Sequence, residues 1–123
     1  MAVVSRRATW PVLGVSGLLA LLFLFAGTTK LIGMQMHVEH FAKWGCPDWF
    51  RLVVGAVEVA GAVLLLVPQT AFYAACVLSV QMLGAAYTHL VNYEAASAPF
   101  PLVVFALLAF IAYSRRRIMI HES

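Results

Sequence analysis

With 123 residues, 63% of them hydrophobic and 11% charged, and a mean hydropathy of +0.93, the chain is far more apolar than a soluble domain, which is about half apolar and about a quarter charged. The same figures exclude disorder, which needs low hydrophobicity and high charge, and they leave no nucleic-acid reading for the net charge of +3. The eight Lys and Arg residues read instead as membrane-topology signals, and the expectation is one membrane domain covering 1–123.

Charge-free gaps measure the helices. A hydrocarbon core about 30 Å thick takes roughly 20 apolar residues as a helix. No ionised residue falls between Arg7 and Lys30, nor between Glu94 and Arg115. Leu52–Val67 is interrupted only by Glu58, and Ala71–Val91 carries only His89 near its far end. Four spans are predicted, at about 10–31, 50–67, 71–90 and 98–113. Thr9-Trp10-Pro11 and Ser97-x-Pro99 read as caps with a proline in the first turn. Pro68 breaks the run after Val67 and leaves Thr70 as the expected cap of the third span.

Between the first two spans, Met34, Val38, Phe41 and Trp44 recur near helical spacing, with Gln35, His37, Glu39, His40 and Lys43 around the other face. That pattern predicts a short amphipathic interfacial helix, with Trp44 and Trp49 as an aromatic belt. The fold class is therefore all-α: a polytopic membrane protein, an antiparallel four-transmembrane-helix bundle with an interfacial helix between spans 1 and 2.

An even span count puts both termini on one side, with Arg6, Arg7, Arg115, Arg116 and Arg117. The opposite loops hold Lys30, Lys43 and Arg51 among Glu39, Asp48 and Glu94. The positive-inside rule then places both termini in the cytoplasm of a multi-pass protein of a bacterial-type inner membrane. The first apolar run is longer than that of a cleaved signal, so it is expected to stay as an anchor. Cys46 and Cys76 fall at levels more than about 20 Å apart, too far for a disulfide.

Glu58 falls about eight residues into the second span, where a carboxylate is expected to point into the bundle. Gln81 reaches a similar depth on the third span, and Lys30 and His89 stand near the outer ends of theirs. Gly55, Gly61 and Ala62 flank Glu58, and Gly84, Ala85 and Ala86 follow Gln81; such small residues let helices approach closely. Lys30, Glu58, Gln81 and His89 are thus the candidate buried polar site, read either as a polar staple or as a small-molecule pocket. No catalytic set is identified. His37-x-x-His40, beside Met34, Met36 and Cys46, is a weak metal candidate, because no further ligand is spaced with it.

Ala26-Gly27-x-x-Lys30-Leu31, Gly45-x-Pro47-x-Trp49, Gly55-x-x-Glu58, Leu64-Leu65-Leu66-x-Pro68 and Met82-x-x-Ala85-x-x-x-His89, in this order and with these span lengths, resemble the DoxX-like family of small four-helix membrane proteins. The resemblance implies an antiparallel membrane bundle and an association with quinol oxidation and sulfur-linked electron transport. It also includes members linked to oxidative-stress complexes or to the assembly of other membrane proteins. Lys30, Glu58 and His89 look like the family's recurrent polar positions. A Cys pair is lacking, which puts a thiol-exchange role in doubt.

Three roles are expected in descending order. The first is an accessory subunit of a quinone-linked electron-transfer complex, which stabilises that complex or shapes a quinone or lipid pocket. His89 is the only histidine clearly within a span, and two cysteines fall short of an iron–sulfur ligand set, so no intrinsic cofactor is expected; quinone or lipid at the bundle remains open. The second is an assembly factor or scaffold that binds a membrane protein partner, or a second copy of itself, helix to helix. A stand-alone oxidoreductase or transporter ranks third.

Overall fold

The structure, a computed structural model, describes residues 6–122, with side chains over 10–116. Among the described residues it is all-helical: α1 (Arg6–Leu31), α2 (Gln35–Lys43), α3 (Asp48–Leu65), α4 (Ala71–Val91) and α5 (Pro99–Glu122), with a 3-10 turn at Ala95–Ser97 before α5. The four long helices close a ring in which α1 packs on α3, α3 on α4, α4 on α5, and α5 on α1. Leu19, Phe23, Leu65, Leu78, Leu108 and Ile111, drawn from all four, form its buried centre. Gly27 near the end of α1 touches Gly55 near the start of α3, and Glu58 and Gly61 of α3 meet Gln81 and Leu78 of α4. Both pairs of helices therefore run antiparallel.

Three helices are long and apolar enough to cross a membrane: Trp10–Leu31, Ala71–Val91 and, with the preceding turn, Ala95–Arg116. Their outer faces expose Leu21 and Phe25, Val77 and Val80, and Phe100 and Val103. In water such faces would associate; in hydrocarbon they are at no disadvantage. The 18 residues of α3 stand apart in carrying Asp48, Arg51 and Glu58.

Local chemistry moves several boundaries from their expected places. Pro11 sits six residues into α1 rather than in a first turn. The side chains of Arg6, Arg7, Thr9 and Arg117, including the expected Thr9 cap, lie outside the described residues. α3 stops at Leu65, and the N–H groups of Leu66 and Val67 bond three residues back, at 3.2 Å each. Pro68 disfavours helical backbone at the residue before it, so the helix tightens and ends ahead of Val67. Thr70 is the N-cap residue of α4 as expected, but its hydroxyl makes no capping bond there; it turns back and donates to the Leu64 carbonyl at 2.7 Å. One of the last carbonyls of α3 thereby gains a partner that the helix cannot supply. α5 continues past Tyr113 to Glu122.

α1, α2 and α4 end alike. The N–H groups of Met34, Cys46 and Glu94 reach back five residues, to the carbonyls of Thr29 (3.1 Å), Phe41 (2.9 Å) and His89 (2.7 Å). The residue before each takes positive φ: Gly33 at 76°, Gly45 at 77° and Tyr93 at 61°. Glycine is at ease in that left-handed conformation, whereas a side chain such as tyrosine's is strained there.

Candidate functional site

A cavity of about 650 Å³ opens in the half of the bundle where α1 ends and α5 begins. This size is that of a small-molecule site, which typically occupies about 300–1,000 Å³. Its walls are apolar: Leu22, Phe23 and Ala26 of α1, Val54 of α3, Met82 and Ala85 of α4, and Phe100 and Pro101 of α5. Polar groups gather at two levels only.

The deeper level is a three-residue cluster. The Lys30 ammonium lies 2.9 Å from Glu58 Oε1, and Gln81 Nε2 donates to Glu58 Oε2 at 2.7 Å. Glu58 is only 3% exposed. The Lys30 side chain turns inward, into the bundle. The backbone makes this possible. A Cβ on Gly27 would stand 2.7 Å from the Gly55 carbonyl oxygen, and one on Gly55 would stand 2.9 Å from that of Gly27. With no side chain at either position, the two helices touch.

Arg51 supports the same level. It is 6% exposed, forks onto Asp48 at 3.0 and 3.1 Å, and donates to the carbonyl of Lys30 at the end of α1. A cation on those last carbonyls is favoured by the helix dipole. It fixes where Lys30 begins its reach.

α2 forms the mouth. Its one buried residue, Phe41, packs at 5.3 Å on Trp44 and 6.2 Å on Phe50. The far end of α2 is held by Glu94, which accepts from Lys43, from Trp44 Nε1 at 3.2 Å, and from His89 at 2.8 Å. A carboxylate has no proton to give, so His89 Nδ1–H is the donor. Trp44 also meets the His89 ring edge-on at 5.4 Å. Lys43 first and then His89 hold the Glu94 carboxyl down at about 2, against a desolvation effect smaller than either, and Trp44 adds a lesser contribution.

At the near end of α2, His37 Nε2 lies 2.9 Å from Thr29 Oγ1, which itself donates to the Ala26 carbonyl at 3.0 Å. The hydroxyl has one proton and gives it to the carbonyl, so Nε2–H donates to the hydroxyl. Burial first, then the charges of Lys30, His40 and Arg51, push the His37 pKa below its ordinary 6.5. His37 is thus a neutral imidazole at pH 7.

Lys30, Glu58, Gln81 and His89 all line the one cavity, but only the first three touch. His89 stands eight residues beyond Gln81, about 12 Å along the axis at 1.5 Å per residue, and pairs with Glu94 rather than Glu58. The histidine pair also separates: His37 faces Thr29, while His40 stacks on Trp44 at 5.5 Å. Among the described residues no three His, Cys, Asp or Glu side chains gather as a metal site. Cys46 and Cys76 are both free.

Sequence reasoning passed over Arg51, Trp44 and Glu94 as parts of this site. Asp48-x-x-Arg51 at helical spacing carried a signal for the first. Glu94 carried none, because its partners Lys43 and Trp44 lie 51 and 50 residues away.

No curated protein and no solved structure matches the chain. The model of one family does match, over residues 14–111, which takes in most of α1, all of α2–α4 and the first half of α5. The chain belongs to the DoxX-like family of membrane proteins.

Proposed function

We propose that the cavity holds the head group of a quinone, and that the protein serves a membrane electron-transfer complex as an accessory subunit. The observation that carries this reading is the pairing of an apolar cavity of about 650 Å³ with the Lys30–Glu58–Gln81 cluster at its deep end. A quinone is a flat apolar ring with two carbonyl acceptors. The Lys30 ammonium has three N–H donors and the Gln81 amide two. Glu58 accepts one from Gln81 and stands in ion-pair contact with Lys30, which leaves further donors for a carbonyl, while Phe23, Met82 and Phe100 offer apolar surface for ring and tail.

In this reading α3 is a fourth span. Its polar Arg51 and Glu58 are buried in the bundle, and its exposed face is Leu52, Val53, Val63 and Leu64. Charges turned inward and paired make such a helix compatible with lipid. α2 then lies in the outer interface, and both termini face the cytoplasm.

Trp44 lines the cavity, and quinones quench indole fluorescence, so the site carries its own reporter. Titration of the reconstituted protein with a short-chain quinone should give saturable quenching that Trp44→Phe abolishes. Lys30→Met should weaken binding about tenfold, as loss of a charged donor does. Unsaturable quenching, equal in wild type and Lys30→Met, would overturn the quinone reading and favour a scaffold that binds a membrane protein partner or a second copy helix to helix.

A further inference from the structure

The end of the bundle away from the cavity has an unanswered charge. Arg115 on α5 is 8% exposed, yet its Nε has no hydrogen-bond partner, and its guanidinium enters no ion pair or hydrogen bond with a described residue. A buried guanidinium without a counter-charge is strongly disfavoured, so something normally answers it.

The chain itself is short of candidates. It has five acidic residues. Asp48 is taken by Arg51, Glu58 by Lys30, and Glu94 by Lys43 and His89, all at the cavity end. Glu39, bonded to Gln35, is on α2 at that same end. Glu122 follows two turns beyond Arg115 on the same helix. Seven residues at 1.5 Å each separate their backbones by about 10 Å along the axis.

We propose that Arg115 binds the phosphate of an anionic phospholipid from the leaflet at this end of the bundle. A guanidinium matches phosphate oxygens with a planar fork of donors. The surroundings favour a lipid over a dissolved anion. Arg115 closes an apolar stretch long enough to cross a membrane, Ala95–Arg116. Beside it, α4 and α5 turn Tyr73, Val77, Phe110 and Tyr113 outward, a surface suited to acyl chains. The neighbouring Arg116 is engaged with Tyr113, over the ring at 4.1 Å and on its carbonyl at 3.3 Å. It therefore leaves Arg115 as the buried anchor. Ser16 on α1, whose buried hydroxyl also lacks a partner, stands about 22 Å from the cavity end of its helix, and Arg115 about 24 Å from that of its own. The two unsatisfied groups share a level of the bundle.

Delipidated full-length protein, challenged with phosphatidylglycerol or phosphatidylcholine and read by native mass spectrometry, tests this proposal. Wild type should retain phosphatidylglycerol in preference; Arg115→Gln should weaken that retention about tenfold; Arg116→Gln should change it less than about twofold. Equal retention by wild type and Arg115→Gln would overturn the proposal. Should Arg115→Gln fail to fold, wild-type melting in nanodiscs decides: a higher Tm in phosphatidylglycerol than in phosphatidylcholine supports the site, and equal values overturn it. Millimolar inorganic phosphate should neither raise Tm nor displace the lipid. If it does both as well as the lipid, the anion is a free phosphate and the lipid assignment fails.

Discussion

Gly27 and Gly55 put the backbones of α1 and α3 in contact, and three residues further along each helix stand Lys30 and Glu58, whose charged groups meet at 2.9 Å. The close approach and the ion pair are one device. Three residues is nearly one helical turn, so each charged side chain projects from the same face as its glycine. Gly55→Ala should therefore lower stability by about 1–3 kcal/mol, because its methyl group would press on the Gly27 carbonyl and the Lys30 Cβ. Thermal melts in detergent measure this. A melting temperature equal to that of wild type would show that the crossing tolerates a wider spacing.

Glu58 should respond asymmetrically to substitution. Glu58→Gln keeps size and an acceptor for Lys30, and should fold with a small loss. Glu58→Leu strands the Lys30 ammonium and the Gln81 amide in an apolar cavity, and should cost about 3 kcal/mol, as breaking a buried pair does. The pair of melts distinguishes the polar cluster from simple space-filling, which would make Leu the milder change.

Tyr93 is 97% exposed and strained at φ 61°, where α1 and α2 use glycine. Tyr93→Gly should stabilise the fold by about 1 kcal/mol, because the Cβ that disfavours left-handed backbone is removed. If Tm falls instead, the tyrosine ring contributes more than its strain costs. Fluorescence of Trp44 would then report whether Glu94, the next residue, had shifted.

Acid should loosen α2 in two stages. His37 is held below its ordinary 6.5, so below about pH 6.5 the unfolded chain binds the proton more readily and stability falls with pH. Glu94, ordinarily 4.5 and here about 2, adds a second loss as pH drops through that window. Its contribution is complete above about 4.5 and gone below about 2. Trp44 emission against pH follows both; Glu94→Gln should remove the lower transition and leave the upper one.

Topology is open to thiol labelling. In a background with Cys46 and Cys76 replaced, Lys43→Cys should react with a membrane-impermeant reagent in intact cells, and Arg116→Cys only after lysis. The reverse pattern would invert the proposed orientation.

The sequence determined the class and the elements. The ~20-residue apolar runs mark membrane-length helices without reference to any fold, because hydrocarbon thickness sets the length and backbone hydrogen bonding sets the helix; of the four spans expected, three helices are long and apolar enough to cross. Lys30, Glu58 and Gln81 were legible for a related reason. A charged or amide side chain within an apolar run has few tolerable surroundings, and the bundle interior is the main one. Tertiary structure alone decided the rest. Glu94 read as one more loop acid until folding brought Lys43 and Trp44 to it across some 50 residues of chain. Arg51 and Arg115 read as topology charges, yet both are buried, one paired with Asp48 and the other without a partner among the described residues. His89 was grouped with Glu58 in one candidate polar site, yet its ring faces Glu94. Depth follows from counting residues at a fixed rise, whereas the azimuth that chooses a partner depends on which helices pack and how closely. Here Gly27 and Gly55 set that packing, by a contact between two residues 28 positions apart that no local pattern encodes.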